Sequence, residues 1–124
     1  MAEGKTILVV EDNDFVRMQI VTFLKSGGYQ TQEARDGNAA LDLLSDRTID
    51  LALVDVRMEP MGGFEFISYM NDEGITVPTI LVTGDQTNDL LEQANRLGVA
   101  ATLMKPVQKD RLMTTVQRVL ERAA

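Results

Sequence analysis

The chain has 124 residues, 44% hydrophobic and 25% charged, the usage of one globular domain long enough to bury a core. It contains no cysteine and no histidine, which excludes a disulfide framework, a thiolate metal site, and the commonest catalytic base and zinc ligand. The formal net charge of −7 argues against nucleic-acid binding.

No apolar run approaches a membrane span, and the N-terminus lacks the apolar region of a signal peptide, so a cytoplasmic location is expected. The charge is uneven. From Arg96 onward, six basic residues stand against two acids, leaving +4, while the preceding 95 residues carry −11. The basic end is either a solvated helix face or a partner surface.

In chain order, Ile7-Leu-Val-Val10 reads as a strand buried on both faces, ended by Glu11-Asp12-Asn13-Asp14, with Asp14 expected as the cap of the next helix. Val16, Ile20, Phe23 and Leu24 recur at helical spacing, and Gly27-Gly28 stops that helix. A weak strand runs from Tyr29 to Ala34. Asp36-Gly37 opens a second helix that turns Ala40, Leu41 and Leu44 inward.

Leu51-Ala-Leu-Val-Asp-Val56 is the next buried strand, and its single carboxylate, Asp55, is costly there unless partners replace its lost solvation. A loop through Pro60 and Gly62-Gly63 leads to a third helix, Phe64 to about Asn71. Val77 to Val82 is the fourth strand, with Pro78 near its start, where a missing N–H is tolerable. Leu90, Leu91, Ala94 and Leu97 mark a fourth helix with Gly98 as its stop. Ala100 to Met104 is the fifth strand, and Leu112, Val116, Val119 and Leu120 mark the last helix. This fivefold alternation predicts an α/β domain, a parallel sheet with helices on both faces.

On that scaffold Glu11 and Asp12, Asp55, Thr83 and Lys105 all fall at the carboxyl ends of strands, where open α/β sheets bind ligands. Their chemistry is complementary. Three carboxylates in one cleft repel, and oxygen-only ligands point to Mg²⁺, with Mn²⁺ as an alternative. Lys105 suits a phosphoryl oxygen or Asp55 itself, and Thr83 offers a hydroxyl. A carboxylate in that company is a nucleophile for phosphoryl transfer.

Over its whole length the sequence resembles the receiver domain of the response regulators of bacterial two-component systems. The resemblance is carried by Glu11-Asp12 after ILVV, Asp55 in LALVDV followed by Met58 and Gly63, Thr83-Gly84 after TILV, and Lys105-Pro106 after TLM. It implies a flavodoxin-like doubly wound sheet of order 2-1-3-4-5 and one receiver domain over residues 1–124 with no output module within them. It also implies that Asp55 takes a phosphoryl group from a sensor histidine kinase or phosphotransfer protein and then switches the binding of a downstream protein. Mg²⁺ would be held by Asp12, Asp55 and the Arg57 carbonyl, with Glu11 behind it and reaching it through water. Thr83, Gly84 and Lys105 would meet the phosphoryl group, and the Lys105–Pro106 peptide would be cis. Such a domain is not an enzyme beyond its own phosphorylation and dephosphorylation.

Three departures stand out. Glu59 replaces the usual proline after the Met, Gly62-Gly63 replaces an Asp/Asn-Gly pair, and Thr102 stands where an aromatic side chain commonly swings inward on activation. Arg57 and Asp85, two residues after Asp55 and Thr83, occupy positions that tune hydrolysis in the family. Two other readings compete: a pseudo-receiver that binds partners without phosphorylation, and a Mg²⁺-dependent phosphatase of the haloacid-dehalogenase type. The second places an acid two residues after its nucleophile, where this chain has Arg57.

Overall fold

The computed structural model describes residues 4–46, 48–85 and 87–123; the first three residues, 47, 86 and 124 of the expected domain lie outside them. Five strands alternate with five helices: β1 (Thr6–Val10), α1 (Asp14–Ser26), β2 (Gln30–Ala34), α2 (Gly37–Asp46), β3 (Leu51–Asp55), α3 (Gly63–Asp72), β4 (Thr79–Thr83), α4 (Asn88–Arg96), β5 (Ala101–Met104) and α5 (Lys109–Ala123). All strand pairs are parallel and the order is β2-β1-β3-β4-β5, as the resemblance implies.

The period-2 alternation of the strands divides the core into two layers. Ile7, Val9, Leu51, Leu53, Ile80 and Val82 point to the side covered by α1 and α5. Leu8, Val10, Ala52, Val54 and Leu81 point to the side covered by α2, α3 and α4, where Phe66 and Met70 pack. The three central strands are apolar except at their end residues because both of their faces are covered. β2 lies at the edge and is mostly half-exposed, which is why its sequence is polar.

Three local expectations need correction. The cap of α1 is Asn13, whose Oδ1 accepts from the Val16 N–H at 3.0 Å; Asp14 is the first helical residue and turns its carboxylate to Arg17 instead. Leu91 faces outward at 37% exposure, because α4 buries only Leu90 and Ala94, one turn apart, and the next residue is rotated by about 100°. Val56 lies just past the end of β3, half-buried, and β4 begins at Thr79, after the Pro78 carbonyl has accepted from the Ala52 N–H. The stop at Gly98 holds: with φ at +77° it closes a Schellman turn in which Val99 N–H donates to the Ala94 carbonyl and Gly98 N–H to that of Asn95.

Candidate functional site: an acidic cleft at the carboxyl rim

The sheet ends level on one rim because its ladder continues past the strands. Glu11 N–H donates to the Ala34 carbonyl, Val56 N–H to Val82 and Lys105 N–H to Thr83, at 3.0, 3.2 and 2.9 Å. These bonds bring Glu11, Asp12, Asn13, Val16, Asp55, Arg57, Thr83, Gly84, Asp85 and Lys105 around one cleft of about 490 Å³. Every site residue expected from the sequence lies on it except Thr102. That residue is half-buried inside β5, and its place in the strand alternation turns it toward the α4 side.

Asp55, at the end of a strand buried on both faces, is itself 5% exposed. Its compensation is Lys105, whose Nζ lies 3.2 Å from Asp55 Oδ1 and 2.9 Å from Glu11 Oε1. Burial draws the Lys105 ammonium down, but Glu11 and Asp55 outweigh it and hold the group above the usual lysine value. Glu11 is almost fully enclosed. Its Oε2 accepts from the Asn13 N–H, whereas its Oε1 meets Lys105 as an ion pair without an aligned hydrogen bond.

One oxygen each from Glu11, Asp12 and Asp55 lie within 4.8 Å of one another. Partial desolvation, and then the neighbouring Glu11 carboxyl, push the Asp12 carboxyl above its ordinary value against the pull of Lys105. Crowded hard oxygens and a buried carboxylate oxygen short of an aligned donor fit a divalent cation such as Mg²⁺.

The hydroxyl of Thr83 is occupied within its own turn. It donates to the Asp85 carbonyl and accepts from the Asp85 N–H, both at 3.0 Å. Side chain Asp85 pairs with Arg57 at 3.2 Å, joining the loops that follow β4 and β3. At Gly84 an added Cβ would meet no atom within 4 Å, so open cleft lies beside it. Gly63 is the opposite case: a Cβ there would collide with the Asp55 carbonyl, so only glycine lets the start of α3 approach the end of β3 this closely. The Lys105–Pro106 peptide is cis, as the resemblance implies, and Glu59–Pro60 is a second cis bond that the sequence reading did not anticipate.

Sequence reasoning also missed Arg17, whose signal was faint: an arginine three residues after Asp14 on a helix. A larger surface groove of about 560 Å³ lies between α3 and α4, lined by Phe64, Tyr69, Arg96 and Leu97 among others, and it gathers no comparable set of reactive groups.

The response regulator receiver domain family matches residues 7–117. The chain is 35% identical over 116 residues to the sensor histidine kinase RcsC of Salmonella typhi, covering 94% of this chain and 12% of that protein. It is 34% identical over 115 residues to the regulatory protein AtoC of Escherichia coli, covering 93% of this chain and 25% of that protein. The chain thus spans a quarter or less of the length of these two relatives. Among solved structures, the chemotaxis protein CheY4 of Vibrio cholerae superposes with a TM-score of 0.88 at 27% identity, covering 93% of this chain and 98% of that one. On motif, fold and rim together, this chain belongs to the family of response regulator receiver domains.

Proposed function

We propose that the chain is a phosphoacceptor switch in which Asp55 receives a phosphoryl group from a phosphohistidine donor, a sensor histidine kinase or a phosphotransfer protein of the cytoplasm. The observation that carries this reading is the setting of Asp55: a nearly buried carboxylate held at the cleft by Lys105 at 3.2 Å and crowded by Glu11 and Asp12. An Asp55 carboxylate oxygen attacks the phosphorus, an O–P bond forms as the donor's N–P bond breaks, and the imidazole departs with its electron pair. Lys105 neutralises the phosphoryl oxygens that arrive. Asp12, Asp55 and the Arg57 carbonyl would hold Mg²⁺, with Glu11 behind them. When bound, the ion supplies charge neutralisation for the transferring group.

Gly84 leaves room for the phosphoryl oxygens. Thr83 donates to one of them after leaving the Asp85 carbonyl, and that exchange is the switch that a downstream protein partner reads. Phe15 and Met18, exposed on α1 beside cleft-lining Val16, offer the donor protein an apolar foothold. The phosphatase alternative finds no support at Arg57, which turns to Asp85 and provides no acid.

Intact mass after incubation with acetyl phosphate tests the reading. One phosphoryl group should add in the presence of Mg²⁺, none after chelation, and none in Asp55→Asn. A protein that never gains that mass would instead be a pseudo-receiver.

A further inference from the structure

The acidic cleft opens to solvent on one side, and the loop that carries Glu11 and Asp12 is gripped from behind. Arg17, on α1, keeps only 13% of its side chain exposed and spends three donors locally. Nη1 donates to the Glu11 backbone carbonyl at 2.7 Å, Nη2 to Asp14 at 2.7 Å and Nε to Glu33 at 3.1 Å. The N–H of the same residue, Glu11, is held by the Ala34 carbonyl at 3.0 Å. Both sides of Glu11's backbone are therefore tied down, its carbonyl by a side chain whose planar fork is aimed by two acids. Glu11's carbonyl belongs to the planar peptide that leads into Asp12, so whatever fixes that carbonyl fixes the Asp12 nitrogen and the Cα from which its side chain projects.

We infer that Arg17 is a positioning residue for divalent-cation binding: it clamps the Glu11–Asp12 peptide so that the three carboxylates converge before the ion arrives. The inference rests on the proposed metal site. Arg17 itself touches neither the ion nor the phosphoryl group. A surface ion pair would affect stability alone, whereas a clamp sets the affinity of a site whose ligands it orients.

Calorimetric titration of the whole chain with Mg²⁺ alone, without phosphodonor, separates the possibilities. Arg17→Met should weaken Mg²⁺ binding about tenfold, at the lower end of what losing a support behind metal ligands costs. Arg17→Lys, which keeps one donor, should fall between it and wild type, and it serves alone if the Met variant does not fold. Val119→Ala, a core truncation in α5 remote from the loop, should lose stability and keep wild-type Mg²⁺ affinity. Arg17 variants that bind Mg²⁺ like wild type while melting earlier would overturn the inference and leave the metal site standing. A wild-type chain that binds Mg²⁺ no better than Asp12→Asn would remove the site, and the clamp with it.

Discussion

Thr83 shows how much a single hydroxyl is asked to do. Moving a two-state domain from 1:99 to 99:1 takes about 5.5 kcal/mol, and charge-assisted bonds from Thr83 and Lys105 contribute about 1.5–3 kcal/mol each. Neither suffices alone, and Thr83 must also surrender the bond it donates to the Asp85 carbonyl inside its own turn. Thr83→Ala is therefore expected to take up the phosphoryl group at Asp55 and still fail to bind its phosphorylation-dependent partner, a pairing that mass spectrometry and a binding titration read separately. On the proposed function, Arg57 and Asp85 would act on the lifetime of the phosphoryl group. An exposed pair of this kind adds about 0–1 kcal/mol to stability, so holding the fold together is a poor account of it. Spanning the loops at the mouth of the cleft, it stands where water would approach the acyl phosphate. Arg57→Asn and Asp85→Ala should each shorten the phosphoryl lifetime, and the double variant should do so less than additively. Unchanged hydrolysis in all three would dispose of that role.

At the scale of elements, the agreement between sequence and structure follows burial. β1, β3 and β4 are apolar on both faces, and their residues announce them within one or two positions. The rim residues were legible for the same reason, since a charge or hydroxyl at the end of an apolar strand is conspicuous. What escaped were features set by partners distant in the chain. Asn13 displaced Asp14 as a cap because Arg17 claims the Asp14 carboxylate, and the Arg17 fork depends on Glu33 from a neighbouring strand. Leu91 belongs to the apolar pattern that marks α4, yet one residue along a helix is enough to turn its side chain to solvent. The last helix poses the converse problem. Leu112, Val116 and Val119 bury one stripe, which leaves Lys109, Arg111 and Arg118 exposed on an otherwise acidic molecule. With Thr102 in place of an aromatic on β5, the change transmitted to this face should be small, and recognition should lean on charge. An acidic partner docking here should bind more weakly as salt rises from low to moderate, and affinity indifferent to ionic strength would count against that surface.

Considered as a whole, the molecule carries a stable two-layer core and a cleft that works against it. Three carboxylates converge on a single ammonium, and the raised Asp12 carboxyl records the repulsion. A carboxyl raised above its ordinary 3.8 contributes fully to stability below that pH and loses the contribution as pH rises through its folded value, so ionised Asp12 is a cost at neutral pH. Asp12→Asn should accordingly melt higher than wild type at pH 7 without metal, by up to about 1 kcal/mol since solvent screens this exposed side chain. The advantage should shrink as pH falls through the folded value and be gone below 3.8, and Mg²⁺ should stabilise wild type and not the variant. An Asp12→Asn protein less stable than wild type at pH 7 would mean that the acids are not in conflict.

If Asp55 is the acceptor we propose, the small turn that Thr83 closes on Asp85 would give the domain a sense of time. On the proposed function, chemistry at Asp55 and rearrangement of the loop would be separate events, because the Thr83 hydroxyl is engaged with Asp85 before a phosphoryl group arrives. Loop motions of this size run on nanosecond to microsecond scales and collective switching on microseconds to milliseconds. A chain phosphorylated in that way would therefore pass through an interval in which it is charged but silent. Donors that load and unload Asp55 faster than the turn opens would be filtered out, and only sustained input would reach the partner.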